Sequence, residues 1–129
     1  MKKLITILFL TLIVSSCSND DDDNTINPSD LIIGLWNMET IDGEPLSYYG
    51  GFDNDIRFEF LPNGVFFDII VTENDITQGN WSLSSNQTEI TINEYTYEII
   101  NLTNKDLKIF YEGYDPNYNS REYTFKKIE

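Results

Sequence analysis

The chain contains no histidine and one cysteine, Cys17, among 129 residues. The first absence removes the usual general base and the commonest zinc ligand; the second rules out an internal disulfide. Basic side chains are scarce as well: 8 Lys and Arg stand against 22 Asp and Glu, a formal charge of -14. A field of that sign repels phosphates, so no nucleic acid partner is expected. Long apolar runs are also missing, since a spanning helix needs about 20 apolar residues and the longest run ends well short of that. What the chain does have is enough length for one core, with eight tyrosines, eight phenylalanines and two tryptophans to fill it.

The first 16 residues have the layout of a secretory signal peptide. Lys2 and Lys3 form a basic start, Leu4 to Val14 an apolar run broken only by threonines, and Ser15, Ser16 and Cys17 a small-residue boundary. "VSSC", Val14 to Cys17, resembles the lipobox of bacterial lipoproteins. That resemblance implies cleavage before Cys17 and its conversion to a thioether carrying diacylglycerol. Two or more acyl chains, at about 0.8 kcal/mol per buried CH₂, hold a protein stably at a membrane. Loss of the leader takes Lys2 and Lys3 with it and leaves 6 basic against 22 acidic side chains, a net charge of -16.

Behind the cysteine runs "SNDDDDN", Ser18 to Asn24. Like charges repel, so this is an extended, solvated tether. An acidic run in this place also resembles the export signal that sends lipoproteins of Bacteroidota to the outer face of the outer membrane. The other orientation is the periplasmic face. Three Asn-x-Ser/Thr acceptors, starting at Asn80, Asn86 and Asn101, carry little meaning in a bacterium. The chain thus divides into a leader (1–16), a lipidated cysteine with an acidic tether (17–30) and a folded domain (31–129).

Past Pro28 the pattern turns to short alternating segments separated by turn residues, which predicts an antiparallel all-β domain. "SDLIIG" predicts one helical turn, capped by Ser29 or Asp30 and stopped at Gly34. Eight strands are expected: Leu35 to Ile41, Asp55 to Phe60, Val65 to Val71, Gly79 to Leu83, Thr88 to Ile92, Tyr95 to Asn101, Leu107 to Tyr111 and Arg121 to Lys127. Mostly tight connections between them suit an up-and-down barrel, which leaves no exposed sheet edge; a β-sandwich is the alternative.

"GLW", Gly34 to Trp36, directly before the first strand, resembles the Gly-x-Trp signature of lipocalins. "GNWSL", Gly79 to Leu83, and "YTFKKI", Tyr123 to Ile128, are similar to the compact lipocalin-like domains of Bacteroidota lipoproteins. The resemblance implies that Trp36 closes the bottom of the barrel, packed on an arginine near the end of the last strand. Here that region offers Lys126 and Lys127, whereas Arg121 begins the strand. Trp81 is expected to be ordinary core.

In a meander, alternate connections share one end of the barrel. That parity gathers the two long loops, Asp42 to Asn54 and Glu112 to Ser120. Tyr48, Tyr49 and Phe52 would then meet Tyr114 and Tyr118 around one mouth, the candidate site for a small apolar or glycan ligand. The alternative is that these rings form a lid on a filled barrel, an interaction or accessory module of the envelope. "DPNYN", Asp115 to Asn119, has oxygen side chains at alternate positions like the start of a calcium loop, with Asp53 and Asp55 in the other long loop. However, the twelfth position is Lys126 where an EF-hand needs Glu, so an Asx-type turn is expected and no cofactor is assigned. No carboxylate pair stands out by spacing, and the chain is read as not an enzyme.

Overall fold

The computed structural model describes residues 26–49, 55–113 and 120–128. A one-turn helix α1 (Pro28–Ile32) leads into β1 (Gly34–Ile41), followed by the two-residue β2 (Glu44–Pro45) and a 3₁₀ turn over Leu46–Tyr49. Then come β3 (Ile56–Phe60), β4 (Val65–Ile70), β5 (Asp75–Leu83), β6 (Glu89–Ile92), β7 (Tyr95–Leu102), β8 (Asp106–Tyr111) and β9 (Arg121–Lys127). Every neighbouring pair is antiparallel, and β9 returns to pair with β1, pairing Trp36 with Lys127 and Ile41 with Tyr123. The result is a closed eight-stranded barrel, with β2 as an extra strand on the upper part of β1. The meander expected from the sequence is the observed fold.

The strands form where alternation is cleanest. In β3, Ile56, Phe58 and Phe60 pack toward the core while Arg57 and Glu59 alternate with them. In β8, the buried Leu107 and Ile109 alternate with Asp106 and Lys108. Several boundaries differ from expectation. The helix cap is Asn27, whose side chain accepts from the Ser29 amide, because Pro28 presets the first helical φ and moves the start forward. Strand β5 begins at Asp75, four residues before the expected Gly79. Residues 75–78 are exposed, so they lack the alternating apolar signal; their ladder to β4 makes them a strand.

The lower half of the barrel holds the core. Trp36, Phe60, Phe125, Ile32, Ile90, Leu107 and Ile109 are its fully buried side chains. Phe58 and Phe60 meet Phe66 at ring-centroid distances of 4.9 and 5.3 Å, and Phe58 lies 5.0 Å from Phe125. Trp81 packs edge-on to Phe60 and donates its indole N–H to the Leu61 carbonyl at 2.9 Å, so it belongs to this core.

Gly34 and Trp36 sit at the closed end. The Trp36 indole is fully buried and donates to the Ile32 carbonyl at 2.7 Å, tying α1 under the barrel. In place of the arginine implied by the resemblance, Lys127 reaches over the indole, its Nζ 5.0 Å from the ring centre and donating to the Leu31 carbonyl at 2.9 Å. Lys126 pairs with Asp106 instead. Gly34 does not stop the helix as expected: Ile33 caps it, and Gly34 starts β1 at φ +132°. A Cβ there would come within 2.7 Å of the Lys127 Cε, so the bare backbone makes room for the lysine stem.

Lys127→Met keeps that stem but removes the charge and the donor. It is expected to cost about 1–2 kcal/mol, the sum of one lost hydrogen bond and a modest cation–π contact, read as a lower urea midpoint at unchanged slope. No change in midpoint would mean that the ammonium contributes nothing to closure.

Candidate functional site

The end opposite Trp36 collects the connections after β1, β4, β6 and β8, the parity expected from the strand count. The β1–β2 link is a two-residue hairpin, Asp42-Gly43, with φ of 54° and 80°. Asp-Gly suits this turn because both positions need positive φ. Asn93, at φ 55°, plays the same part between β6 and β7.

Cross-strand register decides which side chains line this mouth. Ile90 and Ile109 are fully buried, and they pair with Tyr97 and Tyr123, which therefore share their inward face. Two residues along each strand, Tyr95 and Tyr111 occupy the same face nearer the rim. The four rings form a continuous cluster, with centroid distances of 5.8 Å (Tyr95 to Tyr111), 5.5 Å (Tyr97 to Tyr111) and 6.1 Å (Tyr97 to Tyr123). Burial, aided by its neighbours, pushes the Tyr97 phenol up to about 12, and burial raises Tyr123 as well. Beside the cluster, Glu94, Tyr95, Thr96, Tyr111, Glu112 and Gly113 line an open cleft of about 540 Å³.

On another part of the wall, Asp68 pairs with Phe58 on one side and Thr77 on the other. Phe58 packs against the core, so Asp68 points inward too. Its Oδ1 is shielded from solvent and has no hydrogen-bond partner among the described residues. Burial, reinforced by the Asp75 carboxylate, raises its pKa above the ordinary carboxylate value.

A raised folded-state pKa means the folded protein binds this proton more tightly than the unfolded chain does. Asp68 therefore costs stability when ionised, and the cost fades as pH falls from above the raised pKa to below the ordinary aspartate value. Asp68→Asn is expected to raise the melting temperature at neutral pH, by about 4–8 °C if 1 kcal/mol is recovered, and to confer no such gain near pH 3. Equal gains at both pH values would show that the charge is not the cause.

The rim is braced by Arg121. It donates to Asp42 at 2.6 Å and lies 5.6 Å over the Tyr49 ring, while Tyr49 donates its hydroxyl to the Ile41 carbonyl at 3.0 Å. Burial works against ionisation of Asp42, but hydrogen bonds from the Glu122 amide and Arg121 outweigh it and hold its pKa down.

Of the residues singled out from sequence, Tyr48 and Tyr49 lie at this mouth, in contact at 5.3 Å, with Tyr48 70% exposed. Phe52, Tyr114 and Tyr118 lie outside the described residues, as do Cys17, the acidic run from Ser18 to Asn24, Asp53 and the segment from Asp115 to Asn119. Asp55 is paired to Arg57 at 2.9 Å. Among the described residues no group of three or more Asp, Glu, His or Cys is arranged to hold a metal ion. The sequence reading missed the strand tyrosines and Asp68. Their signal was present as tyrosines at every second position, Tyr95 and Tyr97, and as a lone carboxylate inside the apolar run "VFFDII".

A family model for the lipocalin-like domain matches residues 32–109, from α1 to the middle of β8. The chain belongs to the lipocalin-like domain family. Its fold is similar to that of a lipocalin-like protein from Bacteroides uniformis, at 21% identity and a TM-score of 0.54, over 75% of this chain and 98% of the other. No curated protein matches it. Gly34 and Trp36 fall inside the matched segment, whereas β9, which supplies Lys127 and Tyr123, lies beyond it.

Proposed function

We propose that this lipocalin-like domain is a non-catalytic binding module, lipid-anchored to the outer membrane through Cys17 and displayed at the cell surface, that holds a small apolar or glycan ligand at its tyrosine-lined mouth. The observation that carries this reading is the cluster of Tyr95, Tyr97, Tyr111 and Tyr123 beside an open cleft. Such rings offer apolar faces for stacking and hydroxyls for hydrogen bonds. The fully buried side chains of the lower half favour a ligand at the mouth over one deep in the barrel. Because α1 follows the tether and sits at the closed end, the mouth points away from the membrane.

Titration of glycans and short acyl compounds against intrinsic fluorescence tests the site. Tyr97→Ala is expected to weaken a bound ligand by about tenfold, the loss of one good aromatic contact. A panel of both classes that shifts neither fluorescence nor melting temperature would remove the reading. Protease treatment of intact cells tests display: protection of the domain would place it on the periplasmic face.

Exposed apolar side chains at the same end, Tyr48, Val71 and Ile76, favour a second reading, docking of an envelope protein on the rim. A partner that co-purifies with the chain and is lost on Tyr48→Ser would support it.

A further inference from the structure

Among the described residues the Asp68 carboxylate has no positive partner, although it faces the barrel interior. Of the basic side chains near the mouth, Arg121 is held by Asp42 and Tyr49, and Arg57 by Asp55. The charge that acts on Asp68 is that of Asp75, which has the same sign. By register Asp68, opposite Phe58, and Tyr97, opposite Ile90, both face the barrel interior. A half-buried carboxylate without a cation is costly, and such an arrangement persists where function compensates for it.

The tyrosine rings add a second, independent preference. Tyr95 and Tyr111 meet nearly edge to face, at 81°, and Tyr97 and Tyr123 at 72°. Rings held at steep angles present π faces in several directions, an arrangement that suits an alkylammonium group. Anions, by contrast, meet Glu94 and Glu112 at the cleft beside Tyr95 and Tyr111, and Asp68 on the inward face of β4. The acidic chain as a whole raises the local concentration of cations at such an opening.

We infer that the ligand of this mouth carries a positive charge: a small organic cation, a primary or quaternary ammonium, held between the Asp68 carboxylate and the faces of Tyr95, Tyr97, Tyr111 and Tyr123. This inference rests on the mouth being a ligand site, and it narrows the ligand to an amine-bearing member of the apolar or sugar classes. Asp68 supplies the counter-charge, and the rings exclude water and supply the cation–π contacts. Arg121 is fixed by its brace and does not compete for the carboxylate.

The test compares cations with uncharged counterparts of the same shape on the full-length chain, by calorimetry and intrinsic fluorescence. The probes are choline against its carbon isostere, benzylammonium against benzyl alcohol, and glucosamine against glucose. Each cation is expected to bind about tenfold or more tightly than its neutral counterpart at neutral pH, with the preference falling as salt rises. Asp68→Asn is expected to abolish that preference while leaving the protein folded, as its melting curve would verify. Tyr111→Leu is expected to weaken cation binding with the carboxylate intact. Binding of neutral probes as tight as that of cations, or a preference that survives Asp68→Asn, overturns the inference and leaves the mouth as a ligand site. Binding of neither class overturns both.

Discussion

Trp36→Ala is expected to lower the melting temperature by about 15–30 °C. Truncating a buried tryptophan costs about 3–5 kcal/mol, and a domain of this size loses roughly 4–8 °C per kcal/mol. The cost lies at the upper end here because three functions fail together. The fully buried ring leaves a cavity, the Ile32 carbonyl loses its donor, and Lys127 loses the π face beneath its ammonium. The second and third losses detach α1 and the end of β9 from the barrel floor. Trp36→Phe separates these effects: it fills much of the space without donating to Ile32, and is expected to lie between the two. Thermal unfolding followed by near-ultraviolet circular dichroism reads both. A Trp36→Ala protein within 5 °C of the parent by that measurement, far below the expected core cost, would show that the floor is not closed by this residue.

Phe60→Ala is expected to cost nearly as much, about 4 kcal/mol. Phe60 has no exposed surface, and its ring meets Phe58 at 6.4 Å, Phe66 at 5.3 Å and Trp81 at 5.6 Å. Each aromatic pair adds about 0.5–1.5 kcal/mol beyond burial, and one deletion removes three of them. The neighbouring rings belong to β3, β4 and β5, strands held on both sides by ladders, so they cannot collapse into the space. Tyr95→Ala is the informative contrast. That ring is 49% exposed at the mouth, and its removal is expected to change stability little while weakening ligand binding. Comparable denaturant midpoints for the two alanine variants would contradict a division between a filled floor and an open mouth.

That division explains why some of this protein was legible before its structure was known. Alternation in "IRFEF" and "DLKIF" announces half-buried strands because a strand exposes every second residue to the same environment. Counting tight turns then sets which connections share an end. The floor was legible only through the resemblance of the stretch from Gly34 to Trp36 to the lipocalin signature, and the structure puts both residues at the closed end. The early part of β5 was not legible, since residues 75–78 are exposed and only their ladder to β4 identifies them as strand.

The site was harder to read than the fold. Loop aromatics drew attention because loops carry function, and two of them, Tyr48 and Tyr49, do lie at the mouth. Tyr97, Tyr123 and Asp68 sit on strands, where a tyrosine reads as ordinary strand composition and an aspartate as a blemish in an apolar run. Whether such a residue faces the interior depends on register, and a slip of one residue reverses every side chain. Lys126 and Lys127 make the point sharply: adjacent in sequence, one pairs with Asp106 and the other covers Trp36.

The sequence by itself determined an acidic chain and a meander of eight main strands, because composition, period and turn chemistry act over a few residues at a time. The structure alone decided that Lys127 completes the floor and that four clustered tyrosines and Asp68, whose Oδ1 has no hydrogen-bond partner among the described residues, face inward. Those facts depend on the closure of β9 onto β1 and on the register of each ladder, contacts between residues far apart in the chain that no local pattern specifies.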